Sequence, residues 1–119
     1  MTGDGYNLVL FRLIADTNGE EFEQTKGPLL LTHGAFSDTT DWLTRLNGES
    51  SDPAVAVQLA LKDYDVFIAA GRSRQFTRSH QTLNYDDPAD RAEYHDYSFE
   101  DVGLEDVPAF IDAIVEQRR

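Results

Sequence analysis

The residues best placed to do chemistry are His33 and Gly34, which end the apolar run Leu29-Leu30-Leu31-Thr32. Such a run suits a strand buried on both faces of a parallel sheet, and the residues after it form a loop at the edge where such sheets carry their sites. Ala35 and Phe36 continue that loop. A second stretch, Gly71-Arg72-Ser73-Arg74-Gln75, also follows an apolar run and sets a serine in a turn. A nucleophile elbow needs small residues on both sides of the serine and a helix after it, because the sharp strand–turn–helix crowds the backbone. Here the second small residue is missing and no clear helix follows. The stretch therefore reads as a surface loop in which Arg72 pairs with a carboxylate. No Gly-x-Ser-x-Gly occurs in the 119 residues.

His80, His95, Asp86, Asp87 and Asp96 bring together residue types that bind metals. They lack the helical histidine spacing or tight cluster that convergent ligation needs, and they read as solvated loop residues. Tyr85, Tyr94, Tyr97 and Phe99 read as packing residues. No cofactor is expected.

These residues need elements to position them. Residues 6–14 alternate loosely and are rich in Leu, Val and Phe, which predicts a strand. Asp16-Thr17-Asn18-Gly19 is a turn cluster, and 21–24 a candidate return strand. Lys26-Gly27-Pro28 breaks the chain before the strand 29–32. A loop over 33–41 follows, then a helical turn with Trp42, Leu43 and Leu46, and a second loop over 47–53. The segment 54–62 predicts a helix with Val55, Leu59 and Leu61 facing inward, and 65–69 another buried strand. The unit 29–69 is thus a strand–helix–strand crossover. From 70 to 96 the chain is polar with little periodicity. Ser98, with Asp101 three residues later, predicts the cap of a final helix. Val102, Val107, Phe110, Ile111, Ile114 and Val115 form its apolar face, and Pro108 marks a break or late start.

The chain is long enough for one domain and apolar enough, at 40%, for a core. The net charge of −12 argues against nucleic acid and anionic membrane surfaces, which repel an acidic protein. With no cysteine, disulfides, thiolate metal sites and thiol catalysis are excluded. Met1-Thr2-Gly3-Asp4-Gly5 shows no signal or transit peptide, and no apolar stretch approaches the ~20 residues of a membrane span.

Three ordered blocks resemble the acid lipase family of α/β hydrolases, the lysosomal acid and gastric lipases. The first is Asp4-Gly5-Tyr6 running into Leu10-Phe11-Arg12-Leu13-Ile14. The second is 29–36 with Trp42 downstream. The third runs from Tyr64-Asp65-Val66-Phe67-Ile68 through Arg72, Ser79-His80 and Tyr97-Ser98-Phe99-Glu100-Asp101 to Asp106-Val107-Pro108-Ala109 and Ile111-Asp112. The sequence departs from the family pattern at Ala35, Phe67, Ala70-Gly71-Arg72-Ser73 and Tyr94-His95.

The resemblance implies a partial α/β-hydrolase fold over 1–119, mostly a parallel sheet with flanking helices, truncated before the nucleophile elbow. It implies an oxyanion loop at His33, Gly34 and Ala35, with the Ala35 N–H as donor and Arg72 and His80 as loop support. It further implies a lipid or ester substrate once a missing half is supplied, with Ser, acid and His all outside these residues. Family members are commonly lysosomal or secreted. Beside this stand a bland reading of His33-Gly34-Ala35 as a strand-end turn, and an alternative of a catalytically dead subunit of a larger assembly. An unrelated small α/β binding module is a further alternative. Since the strand 29–32 would lie centrally in that fold, self-association or a complementing chain is expected.

Overall fold

The computed structural model describes residues 1–16, 18–33, 40–43, 54–72 and 77–119. Its elements are β1 (Tyr6–Asn7), β2 (Val9–Arg12), β3 (Pro28–Leu31), α1 (Thr40–Leu43), α2 (Val55–Leu61), β4 (Asp65–Ala70), β5 (Ser79–His80), α3 (Pro88–Tyr94), α4 (Phe99–Asp101) and α5 (Val107–Gln117). A π-helical turn at Val102–Asp106 joins α4 to α5. The chain, expected as one domain, divides into two compact units: Phe11–Ala69, and Met1–Leu10 with Ala70–Arg119.

The unit Phe11–Ala69 is organised on a sheet of order β2-β4-β3. β3 and β4 are parallel, with Leu29 opposite Val66 and Leu31 opposite Ile68. The chain enters β3 through Gly27, at φ +99, where an L side chain would be strained. Gly27 accepts from the Asp65 N–H at 2.8 Å, which sets the start of both strands. Every residue of β4 is buried, as its unbroken Val-Phe-Ile-Ala-Ala run predicts. At its head, buried Asp65 takes both N–H groups of the Arg12 fork, at 2.9 and 2.8 Å.

Of the three residues expected to face inward from the helix of this crossover, Leu59 does so, while alanines take the places given to Val55 and Leu61. Ala56 and Ala60 pack with Val66 and Ile68 in the core cluster, flanked by Leu13, Phe22, Leu31, Trp42, Leu59 and Tyr64. Val55 and Leu61 are 44% and 59% exposed. Alanines one turn apart let a short helix approach the sheet closely, so size rather than hydrophobicity decides the inner face.

The expected strand over 6–14 is broken into β1 and β2, which lie in different sheets. The return strand over 21–24 reduces to an antiparallel bridge between Ala15 and Glu21. Beside the parallel β3–β4 pair, β1 and β5 pair antiparallel, Tyr6 with His80 and Asn7 with Ser79, so the sheets are mixed.

In the unit Met1–Leu10 with Ala70–Arg119, the polar stretch after β4 carries more structure than its lack of periodicity suggested. It contains β5 and α3. Asp87 caps α3 by accepting the Ala89 N–H at 2.9 Å, with Pro88 in the first turn. The capping box of Ser98 and Asp101 is present. Pro108 marks the late start expected of it: α5 begins at Val107, with Pro108 in its first turn. The chain widens into the π-turn just before it, which fits a proline that has no N–H for the carbonyl four residues back and whose ring crowds that carbonyl. Phe110 and Ile114 are buried, whereas Ile111 and Val115 are about half exposed, so the apolar face is wider than the described residues cover. Phe99, expected to pack, is 83% exposed.

Candidate functional site

Parallel β3 and β4 have their C-terminal ends at one edge of their sheet, and His33 follows β3 there, two residues after Leu31. His33 is half-buried. Gly34 and Ala35 lie outside the described residues, as do Ser73, Arg74 and Gln75, most of the expected loop over 33–41, Leu46 and the whole of the expected loop over 47–53.

Arg72, two residues past β4, is not a surface residue; it is 2% exposed. Its Nε donates to Asp106 Oδ1 at 2.9 Å and its Nη2 to the same oxygen at 2.5 Å. Nη1 and Nη2 donate to the two carboxylate oxygens of Asp4, at 2.7 and 3.1 Å. The backbone N–H of Arg72 also reaches Asp106 Oδ2, at 3.3 Å. The guanidinium lies 3.9 Å from the centre of the Tyr6 ring and 5.0 Å from that of Tyr97. A buried arginine is tolerated because two carboxylates and an aromatic face replace its water.

Electrostatics follow from this packing. Burial works against the charge of Arg72, but hydrogen bonds and attraction to Asp106 and Asp4 outweigh it and hold the proton more firmly than usual. Burial likewise opposes ionisation of Asp4; hydrogen bonds from Arg72 and Thr2 win, and its pKa falls below the ordinary 3.8. Tyr6 is pushed up, chiefly by burial. With every guanidinium nitrogen committed to protein carboxylates, Arg72 is a strut between the N-terminal segment and the helix at Asp106, not a free anion binder.

A second chain of bonds braces the same unit. The Tyr6 hydroxyl donates to the Tyr94 carbonyl, the Tyr94 hydroxyl to the Thr77 carbonyl at 3.0 Å, and the Thr77 hydroxyl to the Gly71 carbonyl. His80 lies 2.9 Å, through Nε2, from the Asp4 carbonyl. Of the expected site residues, Arg72 and His80 thus meet at Asp4, one on its carboxylate and one on its backbone. His33 belongs to the other unit. Asp4, Tyr6 and Asp106 were not anticipated as site partners, although each sits in a block that carries the family resemblance. Among the described residues no three His, Asp or Glu side chains converge as metal ligands.

Residues 1–46 match the family model described as a partial alpha/beta-hydrolase lipase region. The chain is similar to the acid lipases. It is 30% identical to the lysosomal acid lipase/cholesteryl ester hydrolase of Rattus norvegicus, over 98% of this chain and 28% of the relative. It is 32% identical to the gastric triacylglycerol lipase of the same animal, again over 98% of this chain and 28% of the relative. Lipase 1 of Drosophila melanogaster is 30% identical over 97% of this chain and 23% of its own length. The acid-lipase resemblance therefore extends from β1 to α5, while the chain spans about a quarter of the length of these relatives. No helix among the described residues is long and apolar enough to cross a membrane.

Proposed function

We propose that this chain supplies the oxyanion-loop portion of a carboxylic-ester hydrolase acting on lipid esters. The observation that carries the reading is the end of β3. There, within the stretch similar to a lipase region, a parallel strand delivers His33 to the C-terminal edge of its sheet. Ligands of open α/β sheets bind outside that edge. In this reading His33, Gly34 and Ala35 form the loop whose Ala35 N–H faces the oxyanion of the tetrahedral intermediate, and Gly34 lets the backbone approach it. Arg72 and His80 brace the unit formed by the N-terminal segment and the helix at Asp106. The nucleophilic Ser and its His–Asp partners come from polypeptide beyond these 119 residues, so the chain alone does not turn over esters. The names of the relatives favour triacylglycerols and cholesteryl esters as the substrate class.

A complementing segment also fits the sheet. Among the described residues β3 is an outermost strand; it carries no charge, and its one edge-protecting residue is Pro28 at its start, ahead of Leu29-Leu30-Leu31. We propose that this edge pairs with the completing polypeptide, or with a second copy when that is missing. Reading the coding sequence that follows Arg119 tests the proposal. A Gly-x-Ser-x-Gly encoded there, in frame or in an adjoining frame, is the expected result. A gene neighbourhood without one, together with stable co-purification in a larger assembly, would replace this reading with a non-catalytic subunit.

A further inference from the structure

We propose that His80 is a pH-operated latch, holding the segment of Asp4 and Gly5 only while its imidazole is neutral. The inference stands apart from the ester-hydrolase reading. Two backbone N–H groups point at one ring nitrogen: Thr82 and Leu83 donate to Nδ1 at 3.1 and 3.2 Å. A backbone N–H has no acceptor role, so Nδ1 must present its lone pair. The ring proton is then on Nε2, which donates to the Asp4 carbonyl at 2.9 Å. These three bonds coexist in this one neutral tautomer and in no other protonation state; the Thr82 hydroxyl, 3.5 Å from Nδ1, also faces that nitrogen.

The ring is held where that matters. His80 pairs with Tyr6 across β1 and β5, and the Gln81 N–H donates to the Gly5 carbonyl at 2.7 Å. Gly5, at φ +95, lies so close beneath the ring that a Cβ there would come within 2.8 Å of it. The titratable and charged neighbours are few. From β1 comes the Tyr6 ring, 4.7 Å away edge-on, and from α3 the Tyr94 ring, 6.5 Å away. From the N-terminal segment comes Asp4, its carboxylate bound to Arg72 and Thr2. Tyrosine, aspartate and arginine keep their ordinary charge between about pH 5 and 8, where an imidazole changes its own. A proton added at Nδ1 turns that acceptor into a donor facing two donors. The turn at 80–83 then loses both bonds, and the β1–β5 pairing loses its clamp on Asp4 and Gly5.

The test is nuclear magnetic resonance of the full chain labelled with 15N, from about pH 8 to about pH 5, with His33 and His95 as comparators in the same sample. At the upper end His80 is expected in the Nε2–H tautomer. On acidification the exchange protection of the Gln81 amide should fall roughly tenfold or more, after correction for intrinsic exchange. In His80→Phe, which keeps a ring beside Tyr6, that protection should not respond over this pH range. An Nδ1–H or mixed tautomer at high pH would overturn the proposal, and this readout needs no variant. So would a Gln81 amide whose protection is the same at both ends, or an equal pH response in His80→Phe.

Discussion

Arg72 and Asp106, both buried, share two side-chain hydrogen bonds onto one carboxylate oxygen although thirty-four positions separate them. Asp4 completes the cluster from the other end of the sequence. Replacing Arg72 with Met leaves Asp106 buried without its counter-charge, and the expected cost is about 3–5 kcal/mol. Urea unfolding measures it. The double variant Arg72→Met, Asp106→Leu should recover much of the loss, because the only carboxylate then left without Arg72 is Asp4, which is partly open to water. Losses that simply add would show that the two residues are not coupled.

Asp4 makes the stability depend on acid. Its folded pKa lies below the ordinary 3.8, so the stability it contributes is fully present above that value and is lost as pH falls through the folded pKa. Wild-type protein should lose stability over that interval, and Asp4→Asn should lose less. Unfolding midpoints at pH 5, 4, 3 and about 2 compare them. Parallel curves for the two proteins would contradict the assignment.

Gly5 is required twice, by its positive φ and by the His80 ring above it. Gly5→Ala is expected to cost about 1–3 kcal/mol. Gly27→Ala, with the same kind of φ but nothing within 4 Å, should cost less. A thermal melt of each separates strain from collision.

Much of this was legible in the residues, and the exceptions have physical causes. Apolar runs located β3 and β4, because strands buried on both faces need no alternation. Ser98 and Asp101 announced their capping box through purely local spacing. The start of α3 was legible too, since Asp87-Pro88 is a cap followed by a first-turn proline, but the polar composition around it masked the signal. The inner face of α2 was misassigned at Val55 and Leu61 because alanine ranks low by hydrophobicity while closeness of approach favours it. The burial of Arg72 could not be read locally: its partners come from positions 4 and 106, and only the fold brings them together.

Among the described residues no strand pairs with the outer edge of β3, and this predicts association. Sedimentation velocity of the purified chain at micromolar concentration should show species larger than one chain, or a shift to a defined complex when a nucleophile-bearing polypeptide is added. A cooperatively folding monomer with that edge open to solvent would contradict this.

The proposed oxyanion loop rests on Ala35. In the enzyme completed by its nucleophile, Ala35→Pro removes the proposed N–H donor, and kcat should fall about 10²–10³-fold. KM should change far less. A variant that keeps its kcat would remove Ala35 from the mechanism.

The most direct measurement asks where the reactive serine is. The chain is treated with a fluorophosphonate probe and assayed with a short-chain aryl ester, alone and with a polypeptide carrying Gly-x-Ser-x-Gly from a similar lipase. The account predicts no turnover and no labelled serine in the 119 residues alone, and a label on the added polypeptide when the two are combined. Specific labelling of Ser73, or of any other serine of this chain, would contradict it.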